Sequence, residues 1–220
     1  MRAIQAKRSG LKAKSKGGFM LRTFVVGPFG TNCYLLADER TREACVIDPG
    51  ASPKPVKDEL RKNGLELKFI INTHGHGDHI GANASFDCPV YIHKLDEEFL
   101  TDCEKNLSAQ FLFPVRSQKA AGLLKDGEKV RLGGLELEVL HAPGHTPGSI
   151  SIKLDGIVFT GDALFSGSVG RTDFPYSDER LLIRSIKDKL LVLGDETVIY
   201  PGHGPSSTIG EEKRTNPFLV

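Results

Sequence analysis

Five of the seven histidines of this 220-residue chain fall in three short, glycine-flanked segments. His74, His76 and His79 lie in Thr73-His74-Gly75-His76-Gly77-Asp78-His79, His145 in Pro143-Gly144-His145-Thr146, and His203 in Pro201-Gly202-His203-Gly204. Residues two apart on an extended strand end point to the same side, so His74 and His76 can aim at one point. Asp78 and His79, past a bend that Gly75 and Gly77 leave free, aim at a neighbouring one. Asp162, in Thr160-Gly161-Asp162, adds a carboxylate whose two oxygens can bridge two cations. Five imidazoles and two carboxylates without a thiolate suit Zn²⁺, Mn²⁺ or Fe. They suffice for two ions, with His74, His76 and His145 on one, Asp78, His79 and His203 on the other, and Asp162 shared. Unpaired, so many polar groups at a core edge would be costly, and a cation would organise them. A purely structural zinc site would be closed and cysteine-rich, whereas seven nitrogen and oxygen ligands leave positions for water and substrate. His93 reads as a residue with no ligand role, and His141 as one too, or as a contact behind the ligands.

The elements that must position these residues follow from periodicity and punctuation. Leu21–Val26, Asn32–Leu36 and Ala44–Ile47 read as an antiparallel meander with Gly27-Pro28 and Asp38-Glu39 between them. Ser52 as N-cap, Pro53, the apolar Val56 and Leu60, and Gly64 mark a helix. Phe69–Asn72 is a strand running straight into the first histidine segment, and Ile80–Ser85 begins a short helix. Pro89–His93 reads as a strand, and Leu95–Leu107 as a helix with Leu95, Phe99, Cys103 and Leu107 at period four. Residues 108–126 form a lid or a connection. Four strands follow, Lys129–Leu132, Leu135–His141, Ser149–Leu154 and Ile157–Thr160, the second alternating apolar and acidic residues as a half-buried sheet face does. Ser177, with Asp178 and Glu179, starts a helix that Gly194 stops. Val198–Tyr200 is a strand leading to His203, and Thr208-x-x-Glu211 is a capping box for a last helix ending at Pro217.

Length and composition set the frame. A chain of this size with 39% hydrophobic and 26% charged residues is an ordinary globular protein with one core. No apolar run approaches the ~20 residues a spanning helix needs. The first nineteen residues hold six basic groups and no acid, which leaves 23 basic against 28 acidic groups in the remainder. An acidic body argues against a nucleic-acid surface. Residues 1–18 read as a solvated basic tail, with an organellar transit peptide as the other reading. Cys33, Cys45, Cys88 and Cys103 show no Cys-x-x-Cys pairing and read as reduced thiols of a cytoplasmic protein.

Taken in order, Thr-His-x-His-x-Asp-His at 73–79, His145 in Pro-Gly-His-Thr-Pro-Gly, Asp162 in Thr-Gly-Asp and His203 in Pro-Gly-His-Gly resemble the metallo-β-lactamase-fold hydrolases. Thr31-Asn32-Cys33-Tyr34, Gly170-Arg171-Thr172-Asp173-Phe174-Pro175 and Thr208–Phe218 are similar to the short glyoxalase II-like branch, so the resemblance covers residues 19–220. It implies an α+β fold, an αββα sandwich of two mixed β-sheets flanked by helices, with the metals at one sheet edge.

The resemblance also implies a metal-dependent thioester hydrolase acting on S-D-lactoylglutathione-like hydroxyacyl thioesters, with two divalent ions, zinc first and iron or manganese next. Two cations about 3.5–4 Å apart hold a hydroxide at neutral pH and polarise a carbonyl. A thiolate leaving group, with a parent pKa near ~8.5, departs without an obligatory general acid. Asp78 and Asp162 are the candidate catalytic carboxylates. Arg171, Tyr176 and the 108–126 segment with Lys119 are candidate substrate contacts, and Arg171 has the alternative of pairing with Asp173. Full-length glyoxalase II enzymes carry a C-terminal helical domain that helps hold glutathione, whereas 17 residues follow His203 here. The expected partner is a small thioester, with neither nucleic acid nor membrane. Competing readings are a persulfide dioxygenase with a single non-haem iron, which resembles the chain at Gly170–Phe174 but has Cys where Val169 stands and Asp where Gly204 stands, and a hydrolase of other thioesters or lactones. Zinc β-lactamases commonly replace the Asp162-type ligand with Cys or lack it, which disfavours that activity. The oligomeric state is open.

Overall fold

Every residue of Thr31–Asp38 is buried, so both faces of this strand are covered. In the computed structural model of the chain, which describes residues 18–110 and 114–220, this strand is β2 of a six-stranded sheet. Its neighbours are β1 (Phe19–Val26), β3 (Glu43–Ile47), β4 (Glu66–Ile71), β5 (Val90–His93) and β6 (Gly122–Leu124), in the order 1-2-3-4-5-6. The first three pair antiparallel and the rest parallel. A second six-stranded sheet holds β7 (Lys129–Leu132), β8 (Leu135–His141), β9 (Ile150–Leu154), β10 (Ile157–Gly161), β13 (Val198–Pro201) and β14 (Ser207–Thr208), in the order 14-13-10-9-8-7. It is antiparallel except for the pair β10 and β13. A small hairpin, β11 (Leu164–Phe165) and β12 (Ser168–Val169), stands apart.

The alternation of side chains on β2 distributes the core. Tyr34 and Leu36 turn toward the second sheet and pack with Leu137, Val139, Ile152 and Phe159. Cys33, Leu35 and Ala37 turn the other way, where Val56 and Leu60 of α1 (Lys54–Lys62) cover them. The second sheet is covered likewise: Leu182 of α3 (Glu179–Ser185), with Ile186 and Leu190 on its π-helical continuation Ile186–Leu190, pack on Val158 and Ile199. The remaining α-helices among the described residues are α2 (Gly77–Ile80) and α4 (Ile209–Thr215). The result is the helix–sheet–sheet–helix sandwich expected from the resemblance.

Several expectations need correction. The helix over Leu95–Leu107 is a 3-10 segment, Lys94–Leu100, followed by turns. Asp102 Oδ1 accepts from the amides of Glu104 (2.9 Å) and Lys105 (3.3 Å), a local bond that competes with helix continuation. Ile80–Ser85 divides into the end of α2 and a 3-10 turn, Asn83–Ser85. The N-cap of α3 is Asp178, whose side chain accepts from the Leu181 amide, rather than Ser177. Pro53 stands at the N-cap of α1 and Ser52 precedes it at φ 50°. The 108–126 segment contains a strand, β6, and a 3-10 turn, Ser108–Gln110. Residues 111–113 of that segment and 1–17 of the basic tail lie outside the described residues. Among the described residues no helix is long and apolar enough to cross a membrane, and all four cysteines are unpaired.

Candidate metal centre

The histidine segments all emerge from strand ends at one edge of the sandwich. β4 delivers His74 and His76, β8 and β9 flank the loop of His145, β10 ends at Gly161 beside Asp162, and the parallel β13 ends just before His203. The backbone is pinned where it must be. Asn32 Nδ2 donates to the Pro201 and Gly204 carbonyls (2.9 and 2.8 Å), and the Tyr34 hydroxyl donates to Pro201 O (2.6 Å). The Thr31-Asn32-Cys33-Tyr34 motif thus holds the His203 loop against the first sheet. At the chain's far end, Glu212 accepts from the Gly167 amide and Asn216 Nδ2 donates to Ser168 O, so α4 holds the β11–β12 hairpin that leads to Gly170.

Two groups of donor atoms converge. His74 Nε2 and His145 Nε2 lie 3.1 and 3.0 Å from His76 Nδ1. His79 Nε2 lies 3.3 Å from His203 Nε2, and Asp78 Oδ2 is 3.6 Å from the first and 3.3 Å from the second. Asp162 sits between the groups, with Oδ1 3.4 Å from His79 Nε2 and Oδ2 3.5 Å from His203 Nε2 and 3.7 Å from His145 Nε2. Separations near 3.3 Å are about those of adjacent ligands around a tetrahedral ion with Zn–N bonds of about 2.05 Å. All seven residues singled out in the sequence are therefore brought together, in groups each able to hold an ion.

Hydrogen bonds at the far ring nitrogens fix the tautomers. His145 Nδ1–H donates to Arg171 O (2.8 Å), His203 Nδ1–H to Phe29 O (3.2 Å) and His79 Nδ1–H to Asp48 Oδ2 (3.0 Å). His74 Nδ1–H faces Thr73 Oγ1 (3.2 Å), whose own proton goes to Asp48 Oδ2 (2.6 Å). In the neutral rings the inward nitrogens consequently carry the lone pairs that a cation would take. Asp162 Oδ1 is, among the described residues, the one buried side-chain oxygen or nitrogen without a hydrogen bond. An orphaned carboxylate oxygen amid converging lone pairs is what a metal site requires.

The two groups differ in charge: the neighbouring carboxylates favour on His79 and His203 a proton that a bound cation would displace, whereas the other three imidazoles are neutral. Burial, then the neighbouring imidazoles, holds His74 well below the usual histidine range and His76 down to about 3, and burial lowers His145. These three are neutral, the ligating form. Burial opposes charge on His203, but Asp162 and Asp78 outweigh it and lift its pKa to about 9; His79 is raised against burial by Asp162, Asp78 and Asp48. Burial would raise Asp78, yet His79 and His203 bring it to about 2. A histidine raised in the fold stabilises it fully below its unfolded pKa of about 6.5 and loses that contribution as pH rises through the folded value. Chelator-treated protein is therefore expected to melt at progressively lower temperature between pH 6.5 and 9.5, and metal-loaded protein much less so; equal slopes in the two melting series would contradict this.

Aromatic side chains surround the centre. The Phe174 ring lies 5.6 Å from His76 and 6.2 Å from His145, Phe99 is 6.3 Å from His76, and Phe165 is 6.2 Å from His203. Tyr176, exposed and at φ 69°, packs its edge on Phe99 (5.9 Å). Arg171 is exposed, stacks over Phe174 (4.2 Å) and pairs with Asp173 through two hydrogen bonds (2.9 and 2.7 Å). His141 stacks on His93 at 4.0 Å, away from the donor groups. The sequence reading missed the two buried carboxylates behind the ligands, Asp48 and Asp96. For Asp48 the signal was its place in Ile47-Asp48-Pro49-Gly50 at a strand end; nothing local marked Asp96.

Known proteins match the chain over most of its length. The Metallo-beta-lactamase superfamily profile matches residues 26–203. Hydroxyacylglutathione hydrolase GloC of Haemophilus influenzae is 39% identical over 206 residues, spanning 88% of this chain and 95% of that protein. The crystal structure of BLEG-1 B3 metallo-beta-lactamase superposes with a TM-score of 0.87 at 37% identity, over 91% of this chain and all of the other (100%). That of TTHA1623 in a di-iron-bound form superposes with a TM-score of 0.79 at 39% identity, covering 90% of this chain and 100% of that one.

Proposed function

Because this chain belongs to the metallo-beta-lactamase superfamily, we propose that it is a dinuclear metal-dependent thioester hydrolase acting on hydroxyacyl thioesters of glutathione. The observation that carries the reading is the pair of donor groups sharing Asp162. His74, His76 and His145 would hold one ion, Asp78, His79 and His203 the other, and Asp162 both. Zinc is the first expectation; the nitrogen and oxygen donor set also suits iron, as in the di-iron relative. Bound there, the ions would supply a Lewis acid for the substrate carbonyl and a lowered pKa for water. Residues 19–220 are taken as one hydrolase domain. The unpaired cysteines support a reducing compartment such as the cytoplasm.

The chain's own residues supply position and polarity. Asp78 stays ionised, and the Thr31 hydroxyl donates to its Oδ2 (3.0 Å), which fixes the carboxylate for orienting a nucleophilic water. Phe174 and Tyr176 offer an apolar wall to an acyl chain. Arg171 can exchange Asp173 for a carboxylate of the thiol portion, since an exposed ion pair is worth little. GloC supports glutathione as the thiol. A β-lactam is the second reading, favoured by the likeness to BLEG-1.

The test is thiol release from S-D-lactoylglutathione by purified protein, with metal content, nitrocefin hydrolysis and oxygen uptake measured on the same sample. Thiol release with near two metals per chain is the expected result. Two metals with nitrocefin turnover alone would replace the thioester by a β-lactam. One iron with oxygen uptake from a persulfide would overturn the hydrolase.

A further inference from the structure

Asp96 lies on the 3-10 segment Lys94–Leu100, seventeen residues or more from every histidine of the centre, and is fully buried, with none of its hydrogen bonds going to an imidazole. Its two oxygens take three donors from two different ligand loops. Oδ2 accepts from the Gly75 amide (2.9 Å), between His74 and His76, and from Thr146 Oγ1 (2.7 Å), next to His145. Oδ1 accepts from the Gly148 amide (2.7 Å). The two loops are closed onto this segment at van der Waals distance: a Cβ on Gly148 would stand 2.6 Å from Asp96 Oδ1, and one on Gly75 would collide with Phe99. Burial pushes the Asp96 pKa up to about 6 against the pull of its three donors. All three of these donors, two backbone amides and one hydroxyl, come from the two loops that carry His74, His76 and His145, so the carboxylate ties those loops together.

Resting on the dinuclear reading above, we propose that Asp96 is the positioning residue of the three-histidine half-site, tying the His74–His76 loop to the His145 loop so that their ring nitrogens meet at one ion. The other half-site has braces in which Asp96 takes no part, Asp48 on His79 and Thr31 on Asp78, although Asp48 also reaches His74 through Thr73. Asn has the shape of Asp but one acceptor oxygen. Whichever way its amide turns, an NH₂ faces an amide N–H, of Gly148 or of Gly75, and one loop is released.

The experiment is zinc competition with a fluorescent chelator on the full chain. Wild-type protein is expected to hold two ions. Asp96→Asn should lower the affinity of one of them about 10- to 100-fold, the usual effect of removing a partner behind a ligand. Site selectivity separates positioning from general destabilisation. In a His203→Ala background, which leaves the three-histidine half-site, Asp96→Asn should weaken zinc binding by that factor. In a His145→Ala background, which leaves the other, it should change binding less than twofold. Thr146→Val, which removes one of the three donors without altering Asp96, should shift affinity in the same direction by a smaller factor and keeps the test open if Asp96→Asn folds poorly. Wild-type affinity at both half-sites in Asp96→Asn, or equal weakening of both, overturns the proposal. Fewer than two ions on wild-type protein overturns instead the dinuclear reading on which it rests.

Discussion

Asp162→Ala is expected to lose metal and turnover together. The carboxylate reaches three imidazoles from both donor groups, at 3.4, 3.5 and 3.7 Å, and has one oxygen that no protein donor satisfies. Alanine leaves each group with three side-chain ligands and nothing between them. Electrostatic stabilisation by metal ions is worth several kcal/mol, and about 4 kcal/mol corresponds to roughly 10³ in rate, so kcat/KM should fall on the order of 10³-fold. Metal content should drop from two per chain toward one. A variant that keeps two metals and its activity would sink the shared role of this carboxylate.

Gly202→Ala is expected to damage the centre without removing any ligand. A Cβ at this position would collide with Asp162 Oδ1 and lie 2.7 Å from His79 Cε1. The peptide cannot retreat, because the Gly202 amide donates to Gly161 O (2.8 Å) and its carbonyl accepts from the Asn32 amide (2.7 Å). Overpacking of this kind costs about 1–3 kcal/mol, and for a domain of this size each kcal/mol lowers Tm by roughly 2–4 °C. A displacement of about 1 Å at a ligand can cost ~10² in rate. Melting and metal analysis on one preparation should therefore both fall; wild-type values for both would show that the backbone has room here after all.

How far the sequence reveals this centre depends on whether a residue's role is local. The seven candidate donors were legible because glycine, proline and histidine mark strand ends within a few residues. β8 was legible because Leu137 and Val139 face inward while Glu136 and Glu138 do not. The period-four apolar residues from Leu95 misled: Leu95 is half exposed, and the chain turns at Asp102 before Cys103 and Leu107 can join a helical face. β6 escaped because three residues pairing parallel with β5 leave no periodicity of their own. Asp48 and Asp96 escaped because a carboxylate behind a ligand is defined by what packs against it, and those partners lie elsewhere in the chain. Arg171 was read with two alternatives, and its ion pair with Asp173 is present in the fold.

The parallel pairing of β10 with β13 also has a bearing on the order of events in the cell. It sets His203 opposite His79, 124 residues earlier in the sequence. Synthesis proceeds from the N-terminus, so the first sheet, with His74, His76 and His79, is made well before the strand that completes the second donor group. On the proposed dinuclear reading, the second donor group is complete only when β13 has been laid beside β10, so a chain terminated before β13 would lack His203 and with it one ligand of that group, while His74, His76 and His145 are already in place.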